Sequence, residues 1–344
     1  MSARRKLCHT RAVHDEIRAL RLALVLALAL AIAAAPSHAR AQEPKVPRLG
    51  LLSPDGTFSD ASPLLAAFRQ GLAERGWIEG RNVVLVRRDS GGEGALFLGN
   101  SLLALGVDLF VTASTYGARI ARDVTNSVPI VFVGVSEPVR SGLVARLEPP
   151  RGTNLTGLVD VDVRSSARAL ALLRQAAPSL TRVAVLTDPR APLAGRYFAE
   201  LEATARALGV TVHARNVRSA DELPAAFAGI LADFDQALLV LPHPIFSTVR
   251  QPLIAFAAHY HLPAIYAYRA FAAEGGFMSY GTDMADLYRR AAGLVDRILK
   301  GAAPGDLPIE GPTKFYLVIN LQTARGLRVN VTESLRRQAD HLIQ

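Results

Sequence analysis

The chain has 344 residues, half of them hydrophobic, with 39 Lys/Arg against 30 Asp/Glu. Such a length implies one large or two medium cores, and such a composition excludes disorder as a whole-chain description. The first 41 residues hold seven Lys/Arg and two Asp/Glu; without them 32 basic and 28 acidic residues remain, a net of +4. A balance this modest, with no basic run interleaved with aromatics, gives no case for nucleic-acid binding.

The N-terminus comes first. Arg4, Arg5, Lys6, Arg11, Arg18 and Arg21 precede an uncharged run of 14 residues, Leu22 to Ala35, and Ala39-Arg40-Ala41 follows. The apolar run is shorter than the roughly 20 residues of a membrane helix. A basic region, a short apolar stretch and a small-x-small site predict a secretory signal peptide over 1–41, cleaved after Ala41, with export to a bacterial periplasm. Cys8 is the only cysteine and lies in this segment, so no disulfide or thiolate metal site is expected beyond it.

From Arg48 strands and helices alternate. RLGLLS at Arg48 reads as a strand, and Pro63–Trp77 carries apolar residues at helical spacing. Strand-like NVVLV at Asn82, a helix over Leu96–Leu105 and a strand in VDLFVTAS at Val107 follow. A helix over Tyr116–Val124 leads to the strand PIVFVGV at Pro129. NLTGLV at Asn154 is a short extended piece. A second series then begins: helix Arg164–Ala176, strand RVAVLTD at Arg182, helix Leu193–Leu208, strand VTVHARNV at Val210, helix Asp221–Leu231 and strand QALLVLPHP at Gln236. Helix Ile245–Tyr260, strand PAIYAYR at Pro263 and extended GFMSYG at Gly276 follow. The chain ends with a helix over Met284–Lys300, a Pro/Gly-rich loop over Gly301–Pro312, a strand at Phe315–Leu321 and a helix over Thr332–Ile343 with Thr332 as N-cap.

Continuous apolar strands alternating with helices predict an α/β fold of parallel sheets flanked by helices on both faces, in two similar halves over 46–157 and 158–279.

Catalytic signatures are weak. There is no GxxxxGK[ST] loop, and Gly91-Gly92-Glu93-Gly94 lacks the last glycine of GxGxxG. Gly134-Val135-Ser136-Glu137-Pro138 begins like GxSxG but has proline where the second glycine belongs, which argues against Ser136 as a nucleophile. His259 and His261 sit two apart without an HExxH or carboxylate cluster. No metal or cofactor is expected.

Polar residues do gather at strand ends, where open parallel sheets bind ligands. These are Ser53 and Asp55, Ser114 and Thr115, Ser136 and Glu137, Asp188, His243 and Tyr268. An anionic ligand end would suit Ser114, Thr115 and the N–H groups of the following helix. Phe58, Phe246, Tyr266, Tyr268 and Tyr280 are candidate apolar walls for a ligand body. Each small polar residue has a plainer role as helix cap or turn former; the bias to strand ends in both halves favours a cleft.

The chain resembles the substrate-binding proteins of ABC importers, of the type that includes tryptophan and tyrosine binders. The resemblance rests on RLGLLSP at Arg48, LLAAFRQGLAERGWIEGRNV at Leu64, PIVFVGVSEPVRSGLV at Pro129, TNLTGL at Thr153, RVAVLTDP at Arg182, HLPAIYAYRAFAAEGGFMSYG at His261 and the long block from Asp286 to Leu327. It implies the type I periplasmic binding protein fold: two Rossmann-like lobes with the ligand between them. The lobes would be 46–157 plus 284–307 and 158–279 plus 315–344, with hinges near 154–160, 279–283 and 308–314. The resemblance further implies a non-enzymatic, monomeric protein that captures a small solute and delivers it to a permease in the inner membrane. Glu137, where the family usually has Asp, becomes a ligand or closure residue. Pro242-His243-Pro244 stands where amino-acid binders tend to have an acidic or amide residue, so the solute is left as an aromatic or branched amino acid or an aromatic acid. A periplasmic sensor presenting its solute to a receptor, and a hydrolase using Ser136 or a histidine, are the rival readings.

Overall fold

A computed structural model of the chain describes residues 45–54, 57–88, 94–136, 138–191 and 193–344. The leader expected over 1–41, together with Asp55 and Glu137, lies outside the described residues.

Two sheets form the frame. The first has the order β2-β1-β3-β4-β5, all parallel: β1 Arg48–Leu52, β2 Val84–Arg88, β3 Leu109–Ala113, β4 Ile130–Val133 and β5 Leu155–Leu158. The second has the order β12-β11-β10-β9-β8-β6-β7. Its strands are β6 Arg182–Thr187, β7 Thr211–Asn216, β8 Leu238–Val240, β9 Ala264–Tyr266, β10 Met278–Thr282, β11 Phe315–Asn320 and β12 His341–Ile343. Among the described residues only β10 and β11 pair antiparallel. β3 and β4 are buried along their whole length, because helices cover both faces.

Local chemistry explains the helices. Helix Pro63–Ala73 starts where Ser62 accepts a hydrogen bond from the Leu64 N–H, with proline preset at the first turn, and buries Leu65, Phe68 and Leu72. Helix Met284–Leu299 starts where Asp283 accepts from the Asp286 N–H and buries Leu287, Tyr288, Ala291, Ala292, Leu294, Val295 and Ile298. This face joins the core of the first sheet, although the preceding strand, β10, belongs to the second. The two helices touch at Gly71, where a Cβ would meet the Arg289 carbonyl oxygen at 2.2 Å.

The chain passes between the sheets three times, and the passages are tied together. The Val159 N–H donates to the Glu310 carbonyl at 2.9 Å and the Glu310 N–H to the Gly157 carbonyl at 3.1 Å. The Thr282 hydroxyl donates to the Asp160 carbonyl at 2.5 Å, and the Asp283 N–H to the Lys314 carbonyl at 3.0 Å.

Three expectations need correction. The closing helix spans only Glu333–Gln338; His341–Ile343 instead pairs parallel with β11. Asp340 pins this turn, since its N–H donates to the Leu317 carbonyl while its carboxylate accepts from the Leu317 N–H. The helix expected over 245–260 is two helices, Pro244–Thr248 and Arg250–His259. Pro252 has no N–H to donate to Thr248 and its ring crowds that carbonyl, so the first helix stops and a second begins. Short helices Arg269–Ala273 and Leu321–Gly326 went unpredicted, the latter capped by Asn320 on the Thr323 N–H.

Candidate functional site

A cavity of about 630 Å³ opens between the sheets. Its polar lining comes from carboxyl ends of strands in both: Ser114 and Thr115 after β3, Gly134 and Ser136 after β4, Asp160 after β5, Asp188 after β6, His243 after β8 and Tyr268 after β9. This is where a parallel sheet leaves helix N-termini and loops free to meet a ligand. Helix Ser114–Val124 begins at the cavity with Ala113 in the cap position and no capping side chain, so its first-turn N–H groups face the cleft with their partial positive charge. Ser114 holds φ +64°, the left-handed region, at the mouth of that turn.

Asp160 is the central group. Its Oδ1 is buried and has no hydrogen-bond partner. Burial pushes its carboxyl above the ordinary carboxylate range, and the nearby Ser136 hydroxyl offsets part of that. Burial also raises the pKa of the Tyr197 and Tyr268 hydroxyls, with the Asp160 charge adding to it. The site therefore places one buried carboxyl group, with an oxygen unpartnered, in a cavity that Tyr197, Tyr268 and a helix N-terminus also line. An unpaired buried carboxylate is costly unless a cation completes it.

Asp188 lines the same cavity but is already satisfied. Arg190 donates Nε to Asp188 Oδ1 at 3.0 Å and Nη2 to Oδ2 at 2.7 Å, and the Arg190 N–H adds a third bond at 2.9 Å. This pair holds the Asp188 carboxyl below its usual range, with His243 contributing least. His243 accepts the Ile245 N–H at Nδ1, 3.4 Å away, so the neutral ring carries its proton on Nε2, 3.9 Å from Asp188. Burial lowers the His243 pKa, the Asp188 charge opposes that, and the ring stays neutral at pH 7.

Six of the residues expected at the site from the sequence thus converge: Ser114, Thr115, Ser136, Asp188, His243 and Tyr268. Three do not line the cavity. Ser53 is buried, and its hydroxyl accepts the Phe58 N–H at 3.2 Å, a turn contact. Phe246 is fully buried in the core beneath β8 and β9. Tyr280 stacks on Phe315 at 5.5 Å against the other core of the second sheet. Of the other proposed walls, Phe58 packs edge-on to Tyr288 in the first core and Tyr266 stacks on Phe271. Reading strand ends alone missed Asp160, which had been treated only as part of a crossing, and Tyr197, Leu193 and Arg140. The signal for Asp160 was present: it directly follows the apolar strand LTGL-V, as Ser114 follows β3. Among the described residues no group of three or more His, Asp or Glu is placed to hold a metal, and no helix is long and apolar enough to cross a membrane.

Two α/β lobes facing each other across a cleft lined by strand ends define a ligand-binding protein of the type I periplasmic binding class. Residues 63–343 match the family described as ABC transporter substrate binding protein, and the chain belongs to that family. The chain is 24% identical over 221 residues to the tyrosine-binding protein of Clostridioides difficile (strain R20291), covering 64% of this chain and 63% of that protein's length. Two solved structures share the fold. One is an ABC domain in complex with L-Trp from Streptococcus pneumonia, at TM-score 0.69 and 22% identity, covering 86% of this chain and 99% of the other. The second is the ligand-free, open structure of a substrate-binding protein with adhesive properties from Clostridium difficile, at TM-score 0.73 and 19% identity, covering 87% of this chain and all of the other.

Proposed function

We propose that the protein is the exported receptor of an ABC importer and closes on an amino acid with an apolar side chain, aromatic or branched. The carrying observation is the buried, unpartnered Oδ1 of Asp160 inside the cleft. A ligand ammonium supplies the missing partner, and the charge-assisted bond is worth about 1.5–3 kcal/mol. The ligand carboxylate lies toward the first turn of helix Ser114–Val124, and Tyr197, Tyr268 and Leu193 wall its side chain. The names of the relatives, a tyrosine binder and a complex with L-Trp, support the same class. The lobes are 46–157 with 284–307 and 158–279 with 315–344, hinged at the three tied passages, and closure follows from the ligand's higher affinity for the closed state. Residues 1–41 direct the chain to the periplasm, and the loaded receptor docks on an inner-membrane permease. No catalytic role is assigned to Ser136, whose hydroxyl neighbours the Asp160 carboxyl.

The test is a thermal-shift panel on the chain recovered from a periplasmic extract. Tryptophan, tyrosine, phenylalanine or leucine at 100 times its Kd should stabilise by about 2.7 kcal/mol, a rise of several degrees. A shift with amine-free aromatic acids and none with any amino acid would overturn the amino-acid reading.

A further inference from the structure

A second cavity, of about 620 Å³, adjoins the first and shares Ser136, Arg140, Val161 and Leu193 with it. Its walls are apolar: Val139, Leu147, Val159, Val163, Ile309 and Pro312. Its charges are three arginines, Arg140, Arg164 and Arg196, and one carboxylate, Asp162. Asp162 is committed, since Arg164 binds it through Nε at 3.0 and 3.1 Å and Nη2 at 2.6 Å. Arg140 and Arg196 have no hydrogen bond or ion pair among the described residues. Arg140 follows β4 of the first sheet, and Arg196 lies in the first turn of helix Ala194–Leu208, which packs on the second. Two exposed guanidinium groups from opposite sides of the cleft thus line one largely apolar chamber, and neither is paired with a carboxylate among the described residues.

We propose that this chamber is a subsite for the distal acidic end of an elongated ligand whose amine rests on Asp160, so that the substrate class extends to short apolar peptides with a free C-terminal carboxylate. The inference rests on the amine-binding role of Asp160 given above. Three features point this way. The two cavities adjoin, with four lining residues in common. Their charges differ: Asp160, with one oxygen unpartnered, lines the first, Arg196 lines the second and Arg140 stands at the junction, which sets the direction of a zwitterion longer than one amino acid. The junction between them offers Val161 and Leu193 to an aliphatic or aromatic body, beside the polar Ser136 and Arg140. An anion bound between Arg140 and Arg196 also removes the repulsion that closure would otherwise impose on them. Arg favours this role because its planar fork grips a carboxylate through two bonds.

The experiment is calorimetric titration of the full exported chain with L-phenylalanine, with phenylalanyl-phenylalanine, and with the C-terminal amide of that dipeptide. The dipeptide acid should bind about tenfold tighter than its amide, a difference of about 1.4 kcal/mol. Arg196→Gln should erase that ratio while leaving the Kd of free phenylalanine unchanged, and Arg140→Gln should reduce it. Equal binding of acid and amide, or a ratio that survives Arg196→Gln, overturns the subsite while leaving the amine site intact. Failure of every amine-bearing probe to bind, with amine-free phenylpropionate binding instead, overturns the amine site and this inference together. Replacing the dipeptide acid by an aminoalkyl phosphate in the same titrations tells a carboxylate preference from a general anion preference.

Discussion

Asp160→Asn separates ligand recognition from fold stability, because the two should move in opposite directions. The wild-type side chain places a carboxyl group in the cleft with one oxygen buried and unpartnered, and burial raises its pKa. Losing a charge-assisted bond costs about 1.5–3 kcal/mol, and stranding a buried charge costs about 3–5 kcal/mol. Asp160 is only half-buried as a residue, so the lower end applies. Amino-acid affinity should fall by about 2–3 kcal/mol, or roughly 30- to 150-fold. The ligand-free protein should gain about 1 kcal/mol, or about 2 °C in Tm, because a desolvated charge is removed. The pH dependence follows from the raised carboxyl pKa. In the window between the unfolded value, about 3.9, and the higher folded value, the native state holds more protons than the unfolded one. Stability from this group is therefore complete below the window and is lost as pH rises through it. Amine binding runs the other way and strengthens through the same window as the carboxylate ionises. Calorimetric titration of amino acids from pH 4 to 8, paired with thermal melts of the ligand-free chain, reads both. An Asp160→Asn variant that binds amino acids as tightly as wild type, or whose melt shows the same slope with pH, would refute the assignment.

Other residues give sharper local tests. Asp188→Asn should cost about 1–2 kcal/mol of stability through lost bonds to Arg190, yet change amino-acid Kd less than threefold, because that carboxylate is already paired; a loss as large as that of Asp160→Asn in titration would mean the two carboxylates have been assigned the wrong way round. Gly157→Ala places a Cβ 2.2 Å from the Phe132 carbonyl oxygen beside a crossing, so chemical denaturation should show a loss of about 3 kcal/mol or more. Ser114→Gly should raise stability by about 1 kcal/mol in the same assay by removing the strain of φ +64°. Thr282→Val deletes the hydroxyl bonded to the Asp160 carbonyl; small-angle scattering should show a smaller ligand-induced compaction, and unchanged closure would mean that tie has no part in the hinge.

Much of the frame could be read locally. Strand and helix positions follow from apolar runs, helical spacing and caps such as Ser62, Asp283 and Thr332, all of which act within a few residues. The concentration of polar residues at strand ends was visible for the same reason. Elements failed where a distant partner decided them. His341–Ile343 is a strand because β11, some twenty residues earlier, offers an unpaired edge. The site followed the same rule. Ser114, Ser136 and His243 open into the cleft, whereas Ser53, Phe246 and Tyr280 turn into cores, and a strand end looks alike in sequence in either case. The sequence alone determined the α/β class, the family resemblance and the edge of the sheets on which a ligand would sit. Only the tertiary structure decided which carboxylate is available. Arg190 neutralises Asp188 from two residues away, while Asp160, carried into the cleft by the passage between the lobes, is desolvated there with one oxygen unpartnered among the described residues, and desolvation is a property of what packs around a group and not of its neighbours in the chain.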